Sequence, residues 1–335
     1  MITHEHQLTG GDWVAPAGAD VIGDPRVPRE KVGPDPISGG APTEGVAEMQ
    51  TMTLRDGRTL AFDEIGDRDG FPVVFQPGWL EGRLGRHPDD ALAGRAGLRL
   101  VSVDRPGYGG STPQAVRTMR GSADDTDQLV DHLGIDRFAL LGFSGGGTHS
   151  LAAAHYLGDR VTHVVTIGTP VPFDQPGSLK HLHWMAALPY RLRHVSLLRR
   201  AWFGVFARQA ADPSGYIDML MKVFPDADRP VFTDPVFRPA LEQVAAEVWA
   251  QGQTGVDGDY SVIGQPDFQL ADVQQHVDVY HGEADTWVRP EAAQQLARLL
   301  PDAEVHIVPG GHMCVLPQWN ELLGTLAGRV RLTSS

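Results

Sequence analysis

The sequence predicts an α/β fold: a mostly parallel central sheet of about eight strands, helices on both faces, and an inserted helical cap. Three observations carry this expectation. Short, almost wholly apolar runs recur along the chain, stretches with helical periodicity separate them, and the alternation stops between residues 171 and 274. Strands covered on both faces must be apolar throughout, and strand followed by helix, repeated, builds a parallel sheet.

Residues 1–47 contain 8 glycines and 6 prolines, a composition that rarely supports a core, so they read as an irregular arm. Trp13, Val14, Val21 and Ile22 give it apolar points with which to dock. Residues 49–54 and 59–65 flank Asp56-Gly57 and read as a hairpin, which adds an antiparallel edge. Buried strands are expected at 72–75, 98–103, 138–141, 161–167, 277–280 and 305–308. Helical periodicity marks 124–133, 147–157, 290–300 and 319–326. From 171 to 274, Trp184, Leu188, Leu197, Trp202, Phe206, Met219, Phe224, Leu241 and Trp249 recur at helical spacing with no strand series between them. This stretch reads as the cap, dividing a core made of 48–170 and 275–335.

Composition then narrows the functional classes. Hydrophobic residues form 41% and charged residues 21% of the 335, as in globular proteins. Against 42 acidic side chains stand 28 basic ones, and a surface with a net charge of −14 is expected to repel phosphate backbones and anionic membranes. Nucleic acid is not an expected partner; a small-molecule substrate is. Cys314 is the sole cysteine, which excludes an intramolecular disulfide and a cysteine metal cluster, and it reads as an apolar filler. No signal peptide or stretch of about 18 apolar residues is apparent, so a cytoplasmic protein with no membrane span is expected. His181-Leu182-His183 with His194 has metal-like spacing, but no acid or cysteine stands close enough to complete a set, and no metal or cofactor is expected.

The chemistry concentrates where the strand at 138–141 runs into Gly142-Phe143-Ser144-Gly145-Gly146 and then a helix. That is G-x-S-x-G in its strand–turn–helix setting. A serine on so tight a turn takes a strained backbone, tolerable if Gly142 and Gly146 let strand and helix approach. The helix aims its positive N-terminus at the place where an oxyanion would form, with the Gly145 N–H as donor. A serine hydroxyl needs a base, and the base an orienting acid. Turns just past strand ends supply His312, in Pro309-Gly310-Gly311-His312, and Asp285, in His281-Gly282-Glu283-Ala284-Asp285, with Glu283 a competing acid and His281 a competing histidine. The order Ser144, Asp285, His312 is the one this architecture imposes. His149, about one turn along the helix, reads as packing.

Through these residues the chain from 49 to 326 resembles the serine-nucleophile α/β-hydrolases. Asp104-Arg105-Pro106-Gly107-Tyr108-Gly109-Gly110-Ser111 is similar to that family's D-R-P-G-Y-G-x-S turn, which supports the site. The resemblance implies that Asp285 is the catalytic acid, His312 the catalytic histidine, and the Trp79 N–H the second oxyanion donor. One element departs: the family's His-Gly-x loop reads Gln76-Pro77-Gly78-Trp79 here, so a proline replaces a residue bearing an N–H. A cofactor-free serine esterase working through an acyl-enzyme is therefore expected. The same three residues also serve peptidases, thioesterases, lactonases, carbon–carbon hydrolases, perhydrolases and acyltransferases, and the fold also occurs in non-catalytic binders.

Overall fold

A computed structural model describes residues 48–332. The expected arm at 1–47 lies outside the described residues. Eight strands form one sheet: β1 (Gln50–Thr53), β2 (Thr59–Gly66), β3 (Phe71–Gln76), β4 (Leu98–Val103), β5 (Phe138–Phe143), β6 (Val161–Ile167), β7 (Val277–Gly282) and β8 (Ala303–Val308). Their spatial order is β1-β2-β4-β3-β5-β6-β7-β8. The β1–β2 and β2–β4 pairs are antiparallel and the other five parallel. This is the predicted sheet with its predicted antiparallel edge.

Helices α1 (Ala91–Arg95), α2 (Met119–His132), α3 (Gly145–Leu157), α10 (Glu291–Leu299) and α11 (Trp319–Leu332) cover the sheet. Period-two alternation sorts the core onto two faces. Val73, Phe75, Leu98, Leu100 and Leu141 pack with Leu92 of α1 and Trp319, Leu323 and Leu326 of α11. Val74, Val101, Val103 and Leu140 point the other way, onto Leu129 and Val130 of α2 and Leu151 of α3. Helix α2 starts earlier than its apolar pattern, because the Thr118 hydroxyl caps it by accepting from the Gly121 N–H at 2.9 Å.

One strand differs from the expectation. β8 is the sheet's far edge, so only one side of it has a neighbouring strand; Glu304 and Ile307 are exposed and the rest of the strand is half-buried. An edge strand can carry such residues because solvent reaches it.

Between β6 and β7 the described residues hold α4 (Trp184–Arg191), α5 (Ser196–Gln209), α6 (Pro213–Met221), α7 (Arg229–Thr233), α8 (Phe237–Val248) and α9 (Thr254–Ile263), with no strand. This helical insertion leaves the sheet after Ile167 at the carboxyl ends of the parallel strands, the end of an α/β sheet where ligands bind. No helix among the described residues is long and apolar enough to cross a membrane.

Candidate active site

Ser144 stands between β5 and α3 at φ 49° and ψ −122°, and it is the only non-glycine with positive φ among the described residues. Two close approaches make the turn possible. A Cβ at Gly142 would meet Gly147 Cα at 2.5 Å, so helix and strand touch there, whereas one at Gly146 would meet Gln76 O at 2.0 Å. The first glycine admits the helix as expected; the second admits the 76–79 loop.

His312 and Asp285 come to the serine from turns after β8 and β7. His312 Nε2 lies 3.1 Å from Ser144 Oγ, and His312 Nδ1 lies 2.7 Å from Asp285 Oδ2. The other Asp285 oxygen accepts the Trp287 and Val288 N–H groups at 2.8 and 2.9 Å, which fixes the carboxylate's rotation. Burial by itself would lower the imidazole's pKa, but the Asp285 charge and hydrogen bond, joined by the charges of Asp228 and Glu81, together outweigh it and hold the value above the ordinary 6.5. Burial likewise works to raise Asp285, and the charge of His312 with the hydrogen bonds from His281 and His312 overrides it, leaving about 2. Glu283 is exposed and its side chain has no part in this chain of contacts. His281 sits behind, its Nε2 2.7 Å from Val288 O and 3.2 Å from Asp285 Oδ2.

The loop at 76–79 is braced from outside. Arg105 donates to Pro77 O at 2.5 Å and Gly78 O at 2.8 Å, and the Tyr108 hydroxyl donates to Trp79 O at 2.6 Å. Both belong to the D-R-P-G-Y-G-x-S turn. Asp259, fully buried on α9, accepts from Arg105 at 2.7 Å and Arg117 at 2.6 Å, and its Oδ2 lies 3.0 Å from the Tyr108 hydroxyl. Glu81 accepts the Gly78 N–H at 2.9 Å. Backbone carbonyls and a neighbouring carboxylate thus hold a loop in which proline has removed one donor. The Trp79 and Gly145 N–H groups find no acceptor among the described residues. The Trp79 indole packs against Gly145, where an added Cβ would stand 1.9 Å from Nε1, and that buried Nε1 also has no acceptor among the described residues.

Two acids carry no sequence motif. Asp228, from a short 3-10 turn in the insertion, accepts the backbone N–H groups of His312 at 2.8 Å and Met313 at 2.9 Å. Burial raises its pKa to about 6 despite the nearby imidazole. Glu81 is raised by burial to about 7. An acid bonded to the amide of the predicted histidine is a long-range contact that periodicity cannot show.

The other histidines weighed in the sequence make contacts of their own. His181 Nε2 meets Gln295 Oε1 at 3.0 Å, His183 caps α4 and stacks on Trp287, and His149 meets Ser122 Oγ at 2.7 Å. Cys314 is buried, which pushes its thiol up to about 12. A separate cluster, His276, Asp278 and Glu304, brings ligand atoms within 4.8 Å of one another, and Arg329 already lies 3.4 Å from Asp278 and 2.8 Å from Glu304.

Ser144 and His312 open onto a cavity of about 680 Å³, open solvent at its mouth included. Its walls are apolar, with Met185, Trp202, Phe206, Phe224 and Trp287 prominent, and Glu81 is the one acidic side chain among the described residues that line it. The site can therefore activate a hydroxyl beside unpaired N–H donors in largely apolar surroundings.

The comparisons with known proteins agree with this architecture. The family model described as alpha/beta hydrolase fold matches residues 72–317. A proline iminopeptidase from Xanthomonas citri is 34% identical over 114 residues, covering 32% of this chain and 35% of that protein. A bifunctional esterase/perhydrolase from Acinetobacter calcoaceticus is 30% identical over 126 residues, covering 37% and 46%. The chain thus aligns with less than half the length of these two curated relatives. The solved structure of a hydrolase from Pseudomonas aeruginosa PA01 matches with a TM-score of 0.66 at 20% identity, covering 85% of this chain and 99% of that one. At that identity the likeness is one of fold. The family match extends from the third strand to the turn that carries His312, and on that ground the chain belongs to the alpha/beta hydrolase fold family.

Proposed function

We propose that the protein is a cofactor-free serine hydrolase that cleaves a carboxylic ester of a small or medium apolar acyl group. The single observation that supports this is the hydrogen-bonded series Ser144–His312–Asp285 opening into an apolar cavity. Ser144 Oγ attacks the carbonyl carbon while His312 Nε2 takes its proton, and Asp285 orients the imidazole and stabilises its cation. The N–H groups of Gly145 and Trp79 receive the oxyanion. His312 then protonates the departing alcohol, leaving an acyl-enzyme. Water, deprotonated by the same nitrogen, releases the acid and restores Ser144. Residues 171–274 act as the cap that shapes the acyl site.

A fluorophosphonate probe tests the reading. Wild type is expected to be modified at Ser144 and Ser144→Ala spared, with ester turnover lost in the variant. Folded wild type that resists the probe would mean a binding protein. A matched panel of anilides beside esters separates the amide chemistry that the resemblance to proline iminopeptidase favours.

A further inference from the structure

The chain's charge is unevenly spread. Residues 175–211 hold 6 of the 28 basic residues and none of the 42 acidic ones, so the remainder carries −20. The same stretch holds five of the nine exposed large hydrophobic residues among the described residues: Trp184 (60% exposed), Val195, Leu197 (81%), Leu198 (55%) and Val205. Every residue from 193 to 198 is exposed, so the turn joining α4 to α5 projects as an apolar tip. Arg191, Arg193 and Arg200 flank it, all exposed and without an ion pair among the described residues, and Arg193 lies over the Tyr190 ring at 4.5 Å. Exposed apolar side chains gathered in one place mark an interaction site.

The patch is continuous with the cavity. Trp184 lies 6.2 Å, ring to ring, from Trp202, and Trp202, Met185 and Phe206 from these same two helices line the cavity. Protruding aliphatic and indole groups flanked by arginines, with Asp257 beside them already paired to Arg199 at 2.6 Å, match the boundary layer of a lipid bilayer bearing anionic headgroups. The net charge of −14, which by itself argues against anionic membranes, conceals this local reversal.

We infer that the α4–α5 tip docks the protein onto an anionic phospholipid surface, with Leu197, Leu198 and Trp184 entering the headgroup boundary and Arg191, Arg193 and Arg200 meeting lipid phosphates. Docking presents the cavity mouth to acyl groups held in or near that surface. The binding step stands apart from the hydrolase proposal, since it is measured without substrate.

The experiment is vesicle co-sedimentation of the full chain, using phosphatidylcholine alone and phosphatidylcholine with about one third phosphatidylglycerol. Binding is expected on the anionic vesicles and is weakened by about 0.5 M salt. Arg191→Gln with Arg200→Gln is expected to weaken partitioning about 30-fold. Leu197→Glu with Leu198→Glu should abolish it, while leaving the thermal melt and turnover of a water-soluble ester unchanged, because neither leucine lines the cavity. Absence of binding by well-folded wild type, or full binding by the leucine variant, overturns the inference. So does a concentration-dependent dimer lost in the leucine variant with no vesicle binding, which would assign the face to a second copy.

Discussion

Strand β7 has one aspartate near its start and another three residues past its end, and the two put the same acid–imidazole pairing to different use. Asp278 meets His163 Nε2 and His306 Nε2, each at 2.8 Å, with Arg329 at 3.4 Å. Burial works to raise its pKa, but the hydrogen bonds from both histidines and the arginine charge pull it well below the usual carboxylate range. Both of these Nε2 atoms are spent on the acid, so the arrangement cross-links β6, β7, β8 and α11. Asp285 takes Nδ1 of His312 instead, and Nε2 remains for a hydroxyl 3.1 Å away beside a cavity. An acid–imidazole pair becomes chemically useful when the ring is gripped by one nitrogen and the other faces an ionisable group.

The strongest way to break this contrast is Asp285→Asn, expected to lower kcat on a soluble ester about 10⁴-fold because the imidazole loses its orienting charge. In wild type, kcat/KM should rise with pH through a limb above 6.5, where His312 becomes neutral, and the variant should carry that limb to lower pH. Unchanged rates would make Asp285 another cross-link. Asp278→Asn sharpens the comparison from the other side. It should keep kcat within about threefold yet cost about 4 kcal/mol in urea unfolding, since the arginine and histidines lose their shared partner. Because the native Asp278 pKa is depressed, its stabilisation is full above the unfolded value near 3.9 and fades as pH falls below it. A variant that stays stable and loses activity reverses the assignment.

The smallest effect is expected at Glu81. Its native pKa of about 7 exceeds the ordinary 4.5, so the protonated form is the stabilising one and wild type loses stability as pH rises from about 4.5 through 7. Glu81→Gln keeps an acceptor for the Gly78 N–H and should flatten that loss, by at most about 3 kcal/mol. A melting temperature with the same pH slope in both proteins removes Glu81 as the source.

Much of this architecture is legible in the amino-acid order. Strands β3 to β7 announce themselves because burial on two faces forces continuous apolar runs, the β1–β2 hairpin through Asp56-Gly57, and Ser144 because G-x-S-x-G admits few other backbones. The exposed outer strand β8 is not legible, since Val305 and Val308 look apolar whichever side solvent takes. Nor are Glu81, Asp228 and Asp259, whose partners lie 3, 84 and 154 residues away with no periodicity relating them. A faint signal exists for Asp278 and His163: a charged or polar ring inside Val-Asp-Val-Tyr and Val-Thr-His-Val-Val cannot be buried without a partner. The helical spacing at 171–274 signals helices, but their crossing and the tip between α4 and α5 depend on packing that the spacing does not encode.

Asp259 has a practical consequence for anyone exchanging the insertion for another. Among the described residues it is the sole acidic partner of Arg105, whose guanidinium reaches two carbonyls of the 76–79 loop. A transplanted insertion without a carboxylate at that point would strand a buried cation and release the loop. Exchanging the insertion therefore requires carrying one acid across with the graft, however different the rest of it is.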